Sequence, residues 1–358
     1  MNKRKLKKAL KRIKYLPQGK YLILYCFNKI KHFYFKYSQS TKVAFPSTIM
    51  LELTNHCNLH CTTCPREYDY GKEMDKGSID INQAKKIVDE VWPYLDSIGL
   101  TGMGETFLYK EIEQIVDYIK LKNKGIIISL STNAMTPDFT VSVQKIIGKV
   151  DTIQVSIDGL DSVYEQIRKN ASFEKLKENL TYLTKLCIGT ETTIMLNMVV
   201  TQDNYHQMHE LISFSEGIGI RYINFTLFNL CAVTDIELAY YQFFKSKSFI
   251  DELKRVEDSK QKHPSVAASN WDFQAKNEFK KCPFPWTHFY ICWNGYVVPC
   301  CSKPFPREQH FGNVFEKGVM ECLNSKDFKL FRELWYKNQN PEFCNKCHFI
   351  GIEPIEIN

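Results

Sequence analysis

The sequence predicts an α/β protein in which about six strand-then-helix units build a parallel sheet, followed by a small cysteine-rich module. Three observations carry that prediction. Short β-branched, apolar runs alternate with longer amphipathic stretches from Ser47 onward. The polar residues that interrupt this pattern cluster at the C-terminal ends of the apolar runs, where β/α proteins place their chemistry. Beyond Gln261 the alternation stops, and Cys, Pro and aromatic residues take over. At 358 residues the chain is long enough for about two domains and a large core.

Taken in chain order, the first element is basic. Residues 1–51 hold 13 Lys or Arg and no Asp or Glu, so removing these from the net charge of +7 leaves −6 for the rest. The positive charge therefore belongs to an N-terminal extension, residues 1–45, and not to the body. From Lys3 to Leu16, Leu6, Leu10, Ile13 and Leu16 recur at helical spacing. That pattern predicts a basic amphipathic helix, either lying on an anionic membrane surface or standing in solvent as a tail. The apolar run Tyr21–Phe27 is shorter than the about 20 residues that span a bilayer, and Pro17 and Gly19 separate it from any signal-peptide pattern. A cytoplasmic, reducing location is expected, at most peripheral at a membrane, and there thiols serve metals more often than disulfides.

The candidate strands are Thr48–Leu53, Ser97–Thr101, Ile126–Ser131, Thr152–Ile157, Thr192–Val200 and Tyr222–Leu227. Between them lie the helical stretches Ile81–Leu95, Lys110–Lys122, Phe173–Leu186 and Tyr205–Gly217. Such repetition implies parallel β/α units with both faces of the sheet covered. This body is assigned to residues 46–265 and the cysteine-rich module to 275–358. Apolar periodicity is weak in the module, which predicts that metal ligation holds it together.

Directly after the first strand stands Cys57-Asn58-Leu59-His60-Cys61-Thr62-Thr63-Cys64. Three thiolates at spacings of four and three converge from one loop on three corners of an iron-sulfur cube, leaving the fourth iron without a protein ligand. An open metal position marks a site that substrate or cofactor completes. A zinc site completed by His56 or His60 uses the same donors, although zinc motifs usually come as paired Cys-x2-Cys units. The loop resembles the signature of the radical SAM superfamily, including its place after the first barrel strand. That resemblance implies a partial (β/α)6 TIM-type radical SAM barrel, with a 4Fe-4S cluster on Cys57, Cys61 and Cys64 and S-adenosylmethionine (SAM) on the open iron. It further implies reductive cleavage of SAM to a 5′-deoxyadenosyl radical that abstracts hydrogen from a substrate.

The second strand ends in Thr101-Gly102-Met103-Gly104-Glu105-Thr106, which is similar to the family's glycine-glycine-glutamate motif. Gly102 and Gly104 would then let backbone approach the cofactor, and Glu105 would stand near the methionyl amino group. Thr106 replaces the proline that often follows. Ser131 and Asn133, and Ser156 and Asp158, end two further strands with groups suited either to ribose and carboxylate recognition or to capping and turns. Similar enzymes often have an arginine for the SAM carboxylate where Arg168 stands, and Asn197 is a candidate for the same pocket.

Near the C-terminus, Cys282 is followed by twelve residues, Gly295, four residues and Cys300, and later by the pair Cys344 and Cys347. Gly295 reads as a hairpin turn that brings Cys282 and Cys300 together. Four thiolates close a 4Fe-4S cluster completely, or equally a zinc knot. The arrangement resembles the shortened twitch module related to the SPASM domain, which implies one auxiliary 4Fe-4S cluster. Cys301 adjoins a proposed ligand and is either an alternative to it or a thiol facing substrate. Cys26, Cys187, Cys231, Cys292 and Cys322 have no partner by spacing and are assigned to structure.

The leading functional expectation is a radical SAM oxidoreductase acting on a carbohydrate or aminocyclitol alcohol, by resemblance to twitch-containing dehydrogenases. The alternative is a peptide-modifying maturase. The substrate is thus a small molecule, a glycan or a peptide, and the electron donor a low-potential protein such as flavodoxin or ferredoxin. A zinc-stabilised nucleic-acid-binding protein is the reading from another class. The body's charge of −6 and an arm without base-reading elements argue against it, so no nucleic-acid partner is expected.

Overall fold

A computed structural model describes residues 10–269 and 282–347. Residues 1–9 of the expected basic helix and the expected start of the module at 275 lie outside the described residues. Six parallel strands lie side by side in chain order: β1 (Thr48–Leu51), β2 (Ser97–Leu100), β3 (Ile127–Thr132), β4 (Thr152–Ser156), β5 (Thr193–Val200) and β6 (Tyr222–Leu227). β7 (Ala267–Ser269) extends the sheet beyond β6. At the other edge β8 (Phe289–Ile291) pairs in parallel with β1, and β9 (Val297–Val298) turns back antiparallel on β8. Each expected strand is found within two residues of its predicted ends.

Along most strand positions buried and half-buried residues alternate, and this corrects the expectation that both sheet faces are covered. Ile49 and Leu51, Ile98 and Leu100, Ile128 and Leu130, Ile153 and Val155, and Ile223 and Phe225 are fully buried. They share one apolar core with helix residues such as Ile87, Ile115, Leu180 and Leu211. Their neighbours in sequence, Met50, Gly99, Ser129, Ser131, Gln154, Ser156, Asn224 and Thr226, are only half-buried. Side chains of a strand point alternately to opposite faces, so one face carries the helices and the other forms a polar lumen.

Helices form where apolar spacing and caps agree. In α2 (Ile81–Val91) the buried residues Ala84, Ile87, Val88 and Val91 recur at helical spacing, and Asp80 caps the start by accepting from Asn82 N (2.9 Å) and Gln83 N (3.1 Å). Burying each aliphatic side chain of that stripe is worth roughly 1.5–3 kcal/mol.

The N-terminal arm is not a solvated tail. Residues 10–14 are helical, and the 18-residue helix α1 (Lys20–Tyr37) follows. Lys11 reaches Asp151 (2.7 Å), while Arg12 (2.5 Å) and Lys29 (2.6 Å) reach Asp96. Asp96 and Asp151 immediately precede β2 and β4, so the arm docks across the N-terminal ends of the strands. Further on, Asn324 brackets Val43, accepting from its N (2.9 Å) and donating to its O (3.0 Å).

The C-terminal module is more than a metal knot, contrary to expectation. Phe328, Phe331 and Trp335 on one face of the helix Lys326–Tyr336 are buried in the core shared with the barrel. Arg332, fully buried beside them, donates to Pro285 O (2.7 Å), Thr41 O (3.0 Å) and Leu323 O (2.8 Å). Weak periodicity concealed this because the core is built from aromatics spaced along one short helix.

Candidate active site and second thiol pocket

The cysteine loop leaves the C-terminal end of β1 and is fixed at both ends. Asn55 accepts from Gly77 N (2.8 Å) and donates to Asp75 O (2.7 Å). His60–Cys61 forms a short antiparallel pair with Arg168–Lys169. The three thiols lie within electrostatic reach of one another, and burial pushes Cys61 up to about 12 and Cys64 to about 11. Such thiols remain protonated until a cation draws the proton off. Two receive side-chain hydrogen bonds: Asn133 Nδ2 donates to Cys57 Sγ (3.8 Å) and Arg168 Nη1 to Cys61 Sγ (3.8 Å).

The glycine-rich turn after β2 packs directly onto this loop. A Cβ on Gly104 would lie 2.5 Å from both His56 O and Thr54 O, and Glu105 N donates to His56 O (2.8 Å). Gly102 sits against Glu52, whose Cγ would be 2.3 Å from an added Cβ. Glu105 is buried and accepts from Thr132 Oγ1 (2.7 Å), Phe107 N (3.1 Å) and Asn133 N (2.6 Å). Burial raises its carboxyl and these donors oppose the rise. About one of its roughly four acceptor positions is left for a further donor. Thr106 hydrogen-bonds Leu100 O (3.2 Å) within the buried turn.

Asp158 and Arg168 form a buried ion pair (2.8 Å), with the other Asp158 oxygen accepting from Val199 N (2.8 Å). Although burial disfavours the guanidinium, Asp158 and Cys61 hold its pKa above the ordinary arginine value. Ser156, Asn197 and Asn224 stand in register on β4, β5 and β6, and Asn224 Nδ2 donates to Asn197 Oδ1 (2.9 Å). Ser131 N is held by Thr101 Oγ1 (3.0 Å).

Three residues that the sequence reading passed over belong to this region. Arg66, 8% exposed, has Nε and Nη1 buried without partners and acts electrostatically on Cys57 and Cys64. Glu52 accepts from Met103 N (2.8 Å), Tyr290 Oη (2.9 Å) and Trp293 N (3.2 Å), joining β1, the glycine turn and the β8–β9 hairpin. Asn224 extends the polar row just described. Only Arg66 had a signal in sequence, its place two residues after Cys64.

The second pocket is lined by Cys282, Cys300, Cys344, Cys347 and, unexpectedly, Cys231. Gly295 supplies the turn with φ +87°, where a side chain would also strike Asn313 Oδ1 at 2.4 Å. Burial pushes Cys282 up to about 12. Cys301 does not line this pocket; it packs against Tyr290, Cys292 and Val298, within electrostatic reach of Cys282 and Cys347. All 13 cysteines are free thiols.

Both donor sets fit iron-sulfur clusters. Among the described residues no three His, Cys, Asp or Glu side chains converge as closely as one ion requires. A cubane spreads its thiolates over four irons and so needs wider spacing than a single zinc. The buried orphan N–H groups of Arg66 and Arg168 Nε are what an anionic cluster and a carboxylate would satisfy.

A parallel β/α fold with a three-thiol loop at its first strand end defines a class of enzyme with an open iron-sulfur site. The chain belongs to the radical SAM superfamily: residues 51–215 match that domain, and residues 282–348 match an iron-sulfur cluster-binding (SPASM) domain. It is 26% identical over 325 residues to the tungsten-containing aldehyde ferredoxin oxidoreductase cofactor-modifying protein of Pyrococcus furiosus, covering 84% of this chain and 86% of that one. It is 23% identical over 315 residues to the antilisterial bacteriocin subtilosin biosynthesis protein AlbA of Bacillus subtilis, covering 87% of this chain and 66% of AlbA. The fold matches SAM-bound SuiB of Streptococcus suis with a TM-score of 0.64 and 19% identity, over 91% of this chain and 76% of SuiB. Its cofactors are accordingly SAM, a radical SAM 4Fe-4S cluster and an auxiliary cluster.

Proposed function

We propose that this protein is a maturase that oxidatively modifies a peptide or a peptide-derived cofactor by hydrogen abstraction. The observation that carries this reading is likeness along most of the chain to one protein that modifies a cofactor and one that makes a peptide bacteriocin. The carbohydrate or aminocyclitol alcohol expected by resemblance to twitch-containing dehydrogenases gains no such support, and the reading moves to the peptide alternative. A cleft of about 510 Å³ between barrel and module offers an approach. It runs from Asn55 and Met103, beside the two cofactor motifs, to Arg307 and His310 on the module.

In this reading Cys57, Cys61 and Cys64 hold the first cluster. With SAM bound beside it, this cluster would supply, given one electron from a ferredoxin or flavodoxin, the radical chemistry that abstracts hydrogen. Arg66 and Arg168 offset the negative charge, and Asn133 and Arg168 donate to ligand sulfurs. Glu105 uses its remaining acceptor position for the methionyl ammonium, and Arg168 Nε serves the carboxylate. Ser131, Ser156, Asn197 and Asn224 line the wall for the nucleoside, with Gly102 and Gly104 allowing close approach and Asp158 holding Arg168. Cys282, Cys300, Cys344 and Cys347 would hold the auxiliary cluster, which would supply electron transfer. The lumen behind the mouth keeps bulk water from the reacting atoms.

The arm supplies a peripheral contact. Of the 17 large apolar side chains exposed among the described residues, 11 lie between Leu10 and Tyr37. Ile23, Phe27, Ile30, Tyr34 and Tyr37 form a row along α1, in an arm rich in Lys and Arg. This combination suits an anionic lipid surface. No helix among the described residues is long and apolar enough to cross a membrane. Because the arm lies at the strand N-termini, the mouth would open away from the bilayer.

Anaerobic incubation of the reconstituted enzyme with SAM, reductant and peptides encoded beside its gene tests the function. Deoxyadenosine release matched by loss of hydrogen from a peptide supports it; oxidation of a sugar alcohol instead overturns it. For the arm, sedimentation with phosphatidylglycerol vesicles should exceed that with phosphatidylcholine by at least about tenfold and fall with salt. Equal sedimentation of Phe27→Glu/Ile30→Glu would overturn that part.

A further inference from the structure

Cys231 is the thiol that spacing could not place. It stands 51 positions before Cys282, on the turn Leu230–Ala232 that follows β6 at the barrel mouth. It is buried, it lines the second pocket beside four other cysteines, and its thiol lies within hydrogen-bonding reach of Cys347. Cys347 packs against the small apolar cluster of Cys231, Ala232 and Phe305, which also touches Met103 of the glycine turn.

The barrel loop grips the Cys344–Cys347 turn at several independent points. Asn229 Nδ2 donates to Cys347 Sγ (3.6 Å). Tyr241 Oη donates to Lys346 O (2.9 Å) and accepts from Leu230 N (2.9 Å). Lys346, at φ +61°, sends Nζ back to Thr234 O (3.1 Å) and Ile236 O (3.0 Å). These contacts fix the separation between the barrel thiol and the last module thiol, so their proximity is built into the fold.

Five thiols thus surround a space for a cluster with four ligand positions. We propose that Cys231 is a reserve ligand of the auxiliary cluster, able to take the iron held by Cys347. The exchange replaces one thiolate with another. As the Cys231 sulfur bonds iron, the Cys347 sulfur leaves it, the proton passes from Cys231 to Cys347, and no electron moves. The cluster then stays closed while one of its four attachments passes from the module to the barrel and the other three stay on Cys282, Cys300 and Cys344. This inference rests on the four-thiolate assignment made above.

Full-length protein reconstituted anaerobically with iron and sulfide provides the test, read as iron per chain and as the low-temperature paramagnetic spectrum after reduction. The parent should hold about eight irons. Cys347→Ala should keep about eight with an altered auxiliary signal, and C231A should also keep about eight, whereas C231A/C347A should fall to about four. A fall to about four in Cys347→Ala alone, or in C231A alone, overturns the reserve role. Deoxyadenosine release by the double variant shows that its barrel is folded, and C231S/C347A should lose the same iron. The assignment beneath fails separately, as a parent protein that binds only about four irons.

Discussion

The two cysteine regions hold their thiols together in different ways. Cys57, Cys61 and Cys64 lie within eight positions on one loop, clamped at the end of β1 by Asn55 and by the Arg168–Lys169 pairing. Cys282, Cys300, Cys344 and Cys347 span 66 positions and meet only when a hairpin, a helix and a final turn have packed. The first pocket is therefore a property of local chain, and the second a property of tertiary structure. Disturbing the module should spare the first pocket, and the converse asymmetry should show in iron content and in uncoupled chemistry.

The strongest test of this contrast is Cys57→Ala, which should lower deoxyadenosine formation by roughly 1000-fold or more while leaving about four irons bound. Survival of SAM cleavage would break the comparison at its root. Next is Cys344→Ala, for which deoxyadenosine should still form within about tenfold of the parent rate, without peptide product. Equal loss of both activities would mean that the pockets are not separable.

Arg332→Met sharpens the contrast without touching a thiol. It removes three buried hydrogen bonds, two that tie the module together at Pro285 and Leu323 and one that joins it to Thr41 of the arm, and should destabilise the chain by about 3 kcal/mol. Iron should be lost from the second pocket before the first, as followed by iron release during denaturant titration.

The smallest effect concerns the arm. Although burial opposes its charge, Lys120 and Lys11 hold the Asp151 carboxyl below the usual carboxylate range. A depressed folded value contributes stability above the unfolded pKa of about 3.9, and that stability is lost as pH falls through the folded value. Asp151→Asn should therefore lower the melting temperature by several degrees near pH 7, with the gap closing below about pH 4. A gap that does not change with pH would assign the effect to packing.

The same contrast explains what sequence could reveal. Six strands and the first thiol loop were legible because their signals are local: β-branched runs, and three Cys in one short stretch. Cys231, Glu52 and Asn224 were not, since each takes its meaning from residues far along the chain. Helix α1 was read only as the short run Tyr21–Phe27, because its apolar side chains face outward and its packed face carries Tyr25, Asn28 and His32. The module's core was hidden for a related reason, its aromatics being shared with a barrel that ends some 60 residues earlier.

The pairing of β8 with β1 also orders events on the ribosome. The first strand to be synthesised acquires its outer neighbour only after about 240 more residues, which at about 5–20 residues per second takes on the order of tens of seconds. Through that interval the N-terminal edge of the nascent sheet stays unpaired, and the end of the arm at Thr41 and Val43 waits for Asn324 and Arg332 to emerge before it can be clasped. Metal loading of the first loop therefore has an early window, whereas the second cluster can be assembled only on a nearly finished chain.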